Sequence, residues 1–319
     1  MNRKIKRLLK ILLPLLLGVF LVWYSLNDVP LGKILEFWKA SNKSWIVLGV
    51  FLGLLSHLSR AYRWRFQLEP MGYNIKLGNS IMAVFATYLI NYTIPRAGEV
   101  ARASILTNYE DVPFEKGFGT IISERIADML VMFGIIIITL FLQFDFIFSF
   151  LQERFNPIKI LMGLGLVLAL VLIFVVFIKK SQSKLAVKIK YFVNGLIEGA
   201  LSIFKMKKKW AFIFHTLFIW GMYVLMFYVT SLAIPELNNT PFGAILIGFI
   251  AASFSIAATN GGIGLYPLAV YGAFAIFGID KDPSYAFGWI MWASQTFMII
   301  LLGGMSLIYL PIFNRSKQK

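Results

Sequence analysis

Apolar runs of membrane-crossing length recur along the chain. After a basic start, Arg3, Lys4, Lys6, Arg7 and Lys10, one run extends to Tyr24, and others occupy residues 45–62, 117–142, 158–178, 210–232 and 284–310. Each covers a ~30 Å hydrocarbon layer at a rise of about 1.5 Å per residue, so the pattern predicts six transmembrane helices. The first has the charge pattern of a secretory signal, but Tyr24-Ser25-Leu26-Asn27 offers no small-x-small cleavage site, and it reads as an uncleaved span. Two further apolar segments are broken. Residues 79–94 are interrupted by Thr87, Tyr88, Asn91, Tyr92 and Thr93, stop at Pro95 and lead into the charged amphipathic stretch 96–107. Residues 242–258 run into Thr259-Asn260-Gly261-Gly262-Ile263-Gly264, followed by more apolar sequence to Ile279.

The placement of positive charge decides how these segments count. Residues 179–209 hold nine lysines, from Lys179 to Lys209, against one acid, Glu198. If 79–94 crossed fully, a cytoplasmic N-terminus would put this lysine-rich loop outside, against the positive-inside rule. A first segment, 79–107, that dips in from the cytoplasm and returns, and a second, 242–279, that dips in from outside or makes a tight double crossing, bring both termini and the lysine loop inside. The expected architecture is an all-α polytopic membrane protein with about six transmembrane helices plus two re-entrant or broken hairpins. The segments 8–142 and 158–310 then have the same order of elements in opposite orientation, the arrangement of an inverted repeat.

Composition agrees. Of 319 residues, 59% are hydrophobic and 14% charged, with mean hydropathy +0.75, which excludes a soluble enzyme and leaves residues 1–319 as a single integral membrane domain. A net charge of +16 fits basic cytoplasmic loops against anionic lipid, and no nucleic-acid partner is expected. Zero cysteines exclude disulfides and thiolate sites. His57 and His215 stand alone in apolar stretches and read as structural. No metal-ligand spacing occurs, and no metal or cofactor is expected.

Irregular backbone survives at membrane depth only where protein or a water-filled cavity satisfies it, so the breaks predict a polar interior. After the first, Arg96, Glu99 and Arg102 follow at three-residue spacing, within reach of one another along a helix. An interfacial helix with solvated charges is the plainer reading. The next span carries Glu124, Arg125 and Asp128, with Asp128 about 16 Å along a helix that starts near Gly117. Each such charge costs at least about 2.5–3.5 kcal/mol in the membrane, so the three must face a partner or water. They pin the span to its neighbour or form part of a binding site. The six charges sum to zero, which suits a site that exchanges partners when an anionic head group arrives. Arginine forks pair with two phosphate oxygens at once, and the start of the half-helix at Arg96 is electropositive. In the second break Asn260, Gly261, Gly262 and Gly264 permit positive φ, and so either an anion-accepting nest or close helix packing. Arg60, Arg63 and Arg65 flank Trp64 at the end of the second span, as interface anchors or as the place where a lipid head group is first met.

These residues, Pro95-Arg96-Ala97-Gly98-Glu99 with Arg102, Glu124-Arg125 with Asp128, Arg63-Trp64-Arg65 and Gly261-Gly262-Ile263-Gly264, resemble the lysylphosphatidylglycerol synthase transmembrane-region, or flippase-like, family over nearly the whole chain. The resemblance implies a lipid flippase module. In the multiple peptide resistance factors that module is fused to a soluble aminoacyl-transferase domain, which is not expected here, so translocation is implied rather than lysyl transfer. The family often has an acid shortly after the glycine break, where this chain has Leu265-Tyr266-Pro267. The expectation is a bacterial inner-membrane translocase of anionic or phosphate-linked lipid, with no catalytic residue assigned. The rivals are an intramembrane transferase on a lipid-linked substrate, using Glu99, Glu124 or Asp128 as base, and a scaffold for lipid- or glycan-synthesis enzymes. Single cysteines test the topology: one at Lys188 should label only from the cytoplasmic side and one at Asn156 only from outside, and labelling of position 188 from outside would refute the re-entrant arrangement.

Overall fold

The computed structural model describes residues 3–94, 96–154 and 206–315 with scattered positions between 162 and 187, so the expected span 158–178 and most of the lysine loop 179–209 lie outside the described residues. Among the described residues the structure is helical and without strands: α1 (Arg3–Asp28), α2 (Leu31–Ala40), α3 (Lys43–Leu68), α4 (Leu77–Thr93), α5 (Ala97–Glu110), α6 (Phe114–Leu142), α7 (Phe144–Arg154), α8 (Lys209–Ser231), α9 (Phe242–Ala258), α10 (Leu265–Ala275) and α11 (Lys281–Phe313). The protein is an all-α multi-pass membrane protein. Of these helices α3, α6, α8 and α11 are long and apolar enough to cross a membrane, while α9 and α10 are shorter apolar helices. Two short helices, α2 and α7, occupy segments that read as loops. Ile34 of α2 is buried while Leu31, Leu35 and Trp38 stay exposed.

The chain forms two compact units, Met1–Ile121 with Trp210–Lys319, and Ile122–Lys209. Both broken segments belong to the first.

Hydrogen bonds order the ends of the first unit. At one end the Asn42 N–H donates to Ala233 O (2.9 Å), which sets the start of α3 beside the end of α8. There Lys281 pairs with Asp28 at 3.0 Å, Tyr285 donates to Asp28 at 2.8 Å, and Lys33 pairs with Asp282, which joins α1 and α2 to the start of α11. At the other end, which carries Arg60, Arg63 and Arg65, the Asn79 amide donates to Glu110 of α5 and to Asn314 just past α11 (2.5 and 2.9 Å). The Lys76 N–H also donates to Glu110 (3.0 Å). The first hairpin, α4 and α5, therefore enters and leaves by this arginine end.

Its depth follows from α11. The first turn of α4 meets Asn314, whereas Tyr92 in its last turn bonds Thr296 (3.0 Å), near the middle of the 33-residue α11. The hairpin therefore stops half-way along a spanning helix. Helices α9 and α10 come from the opposite end and turn at Gly261, whose carbonyl accepts from Trp292 Nε1 at 2.8 Å, one turn from Thr296. Close packing on α11 requires small residues. A Cβ on Gly303 would lie 2.8 Å from the Phe85 carbonyl oxygen of α4, and one on Gly288 would lie 2.5 Å from Pro267 Cα of α10. The adjacent Gly304 faces open space.

Gly303→Ala should therefore push α4 off α11 and cost about 1–3 kcal/mol in thermal unfolding of the detergent-solubilised protein, while Gly304→Ala should be close to neutral. Equal melting of the two variants would contradict this packing.

Candidate functional site

The two hairpin tips meet. The Tyr92 ring lies directly against Gly261, where any Cβ would collide with it, and Tyr92 is anchored from behind by Thr296. Gly261, Gly262 and Gly264 have φ of 65°, 83° and 70°, a region that disfavours side chains. At Gly264 a Cβ would lie 2.5 Å from the Val22 backbone nitrogen of α1. The glycines thus let the break turn while Tyr92 and α1 close on it, the close-packing role of the two that the sequence allows. Asn260 beside them is buried.

The first tip is held by Asn91. Its Oδ1 accepts from the Gly98 N–H (2.8 Å), one of the donors exposed at the start of α5, and its amide faces Glu99 at 3.4–3.5 Å. Gly98 allows this because a Cβ there would strike the Thr87 carbonyl oxygen. Arg96 begins α5 in the left-handed conformation, φ 61°, uncommon for a residue with a side chain, and its side chain is exposed. Glu99 is half-buried.

Arg102 turns into the protein interior. It is 1% exposed, and its guanidinium lies 3.8 Å over the Trp64 ring, whose Nε1 donates to Thr120 Oγ1 at 2.8 Å. A desolvated cation–π contact of this kind is worth about 2 kcal/mol. Arg60 and Arg63, placed by sequence where a head group would arrive, are 2% and 0% exposed. Arg63 donates to Thr216 Oγ1 of α8 (2.6 Å) and lies over Phe212. Of the three, only Arg65 is partly open, 3.3 Å from Asn74 Oδ1. Arg63 is thus an interior group that ties α3 to α8, its long stem turned inward onto Phe212, and Arg60 is buried on the same helix.

In the second unit Glu124 is 0% exposed, Asp128 6%, and Arg125 half-buried. The i,i+4 spacing puts both carboxylates on one side of α6.

Sequence reasoning did not assign Asn91, Tyr92, Trp64, Trp292 or Thr296. The polar run 87–93 marked where the first helix breaks, but nothing local indicates that Tyr92 lies on Gly261 or that Trp64 lies under Arg102.

A family model described as the lysylphosphatidylglycerol synthase TM region matches residues 11–304. The chain is similar to a UPF0104 membrane protein of Methanocaldococcus jannaschii, 24% identical over 234 residues, which cover 64% of this chain and 68% of that protein. It is also similar to the glycosyltransferase AglD of Haloferax volcanii, 25% identical over 133 residues, 41% of this chain. That stretch spans 21% of AglD.

Asn91→Leu strips the Gly98 N–H of its acceptor inside the hairpin and should cost about 1–3 kcal/mol, read as a lower melting temperature, with faster proteolysis near residue 96. A variant as stable and protease-resistant as wild type would show that Asn91 does not hold the tip.

Proposed function

The chain belongs to the lysylphosphatidylglycerol synthase TM region family, and from that premise we propose that it is a lipid translocase, moving lipids with anionic or phosphate-linked head groups across the cytoplasmic membrane. The observation that carries this reading is the meeting of two hairpins, from opposite ends of the bundle, half-way along α11, with an exposed arginine at the tip. Paired broken helices at mid-depth are where transporters of repeat architecture bind substrate. Arg96 receives the phosphate as a charge-assisted, two-pronged donor, with Glu99 held against the Asn91 amide beside it. Arg102, braced on Trp64, is buried further along α5. On α6, Arg125 with Glu124 and Asp128 forms a separate charged group tested by its own variant. The glycine break at 260–264 serves as the counterpart tip. The arginine end lies in the cytoplasm, because Arg60, Arg63, Arg65, Lys76 and Arg315 gather there while acids and lysines balance at the Asp28 end. The reading needs no metal or cofactor, and its partners are the lipids themselves.

The AglD similarity favours a second reading, a membrane partner for enzymes of lipid-linked glycan synthesis, in which the tip charges would be dispensable.

Proteoliposomes with head-group-labelled phospholipids decide between them. Wild type should move label across the bilayer, and Arg96→Ala should lower the rate by about tenfold or more at matched folding, as expected when a charge-assisted phosphate contact is lost. Arg125→Ala should lower it as well if the α6 charges take part. A well-folded wild type that moves no phospholipid, or an Arg96→Ala variant with full activity, counts against the proposal.

A further inference from the structure

Helix α1 lies against the second hairpin tip along a single stripe. Gly18, Leu21, Val22, Ser25 and Asp28, three or four residues apart, are buried or half-buried, while Leu16, Val19, Phe20, Trp23 and Tyr24 are exposed.

The two parts of the stripe differ in kind. Toward the Asp28 end the ties are polar. Trp289 Nε1 donates to Ser25 Oγ at 3.1 Å, and Asp28 accepts from Tyr285 and pairs with Lys281. Just beyond, Lys33 of α2 pairs with Asp282, so the chain after α1 is fixed as well. At the tip the contacts are close but without hydrogen bonds. A Cβ on Gly18 would lie 2.7 Å from Ile263 Cγ2, and Gly264 abuts the α1 backbone at Leu21 and Val22. Among the described residues, the hydrogen bonds of 16–28 to other helices are made at Ser25 and Asp28. Helix α11, in contrast, is hydrogen-bonded to both tips, through Thr296 and Trp292.

In hydrocarbon this difference decides which neighbour can leave. An apolar helix face that parts from protein meets lipid chains just as apolar and gives up only close packing. A hydrogen bond broken at that depth leaves polar groups bare. We propose that α1 is a lateral gate: pivoting about its tied end at Ser25–Asp28, it lifts from Ile263 and Gly264 and opens the paired tips to the bilayer. The inference rests on the translocase reading and supplies its route. A lipid head group has to reach the tips at mid-depth while its chains stay among the other lipids. Helix α1 has the glycine turn on its inner side, an exposed apolar face on its outer side, and polar ties at one end.

The test locks the gate reversibly. A Cβ at Gly18 would lie 4.0 Å from Ile263 Cβ, within disulfide range, and the chain has no cysteine of its own. The double variant Gly18→Cys with Ile263→Cys is reconstituted into vesicles and either oxidised with copper phenanthroline or kept reduced. Movement of head-group-labelled phosphatidylglycerol is one readout. The other is the position of photo-adducts from a phosphatidylglycerol carrying a diazirine in its acyl chain near the head group, mapped by mass spectrometry. Reduced protein should move lipid and carry adducts at residues 259–266. Oxidation should stop the movement and remove those adducts, sparing adducts on the exposed side of α1, and reduction should restore both. Gly18→Leu, which cannot seat on Ile263, should gain adducts at 259–266 without any cross-link, and it decides the matter if the double variant folds poorly. Cross-linked protein that still moves lipid overturns the proposal. So do adducts at 259–266 that are the same in the locked and open states, or a Gly18→Leu variant with wild-type adducts. Adducts that follow the lock when neither wild type nor the reduced variant moves lipid refute the translocase reading and leave the gate standing.

Discussion

Backbone groups cannot be left open in hydrocarbon, and this chain breaks two helices at mid-depth. What closes those breaks organises the first unit. Asn91 takes the Gly98 N–H, Trp292 takes the Gly261 carbonyl, and Tyr92 covers the glycine turn while bonded to Thr296. Each hairpin thus supplies or receives part of what the other needs, with α11 as the rod against which both are measured.

The same helix explains why the hairpins can approach at all. Gly288 admits Pro267 of α10 and Gly303 admits the backbone of α4, while the ends of α11 are tied by Asp28 and Asp282 on one side and Asn79 on the other. In a membrane, where burial of apolar side chains gives little drive for helix association, such close contacts and hydrogen bonds carry much of the specificity.

Charge is handled differently along the bundle. In the arginine half, Arg63 and Arg102 are drawn inward over Phe212 and Trp64 rather than left on the surface. At the tip the polarity changes to exposed Arg96 and half-buried Glu99.

Hydropathy and charge sufficed for the all-helical membrane fold, for the spans at 45–62, 117–142, 210–232 and 284–310, and for the two breaks, because run length against bilayer thickness and interruption by Asn, Pro and Gly are local properties. The charged positions Arg96, Glu99, Arg102, Glu124, Arg125 and Asp128 stood out for a similar reason: an ionisable residue in an apolar run is costly wherever it points. The sequence could not say where each one points. Arg60 and Arg63 look the same as interface anchors and as interior ties, and Gly261 looks the same as an anion nest and as a seat for Tyr92. The choice depends on residues far apart in the chain, Thr216 and Phe212 for Arg63, and Tyr92 and Trp292 for Gly261. Only the packing of α3 on α8 and of one tip on the other brings them into contact, and helix packing is set by shape across the bundle rather than by any local pattern.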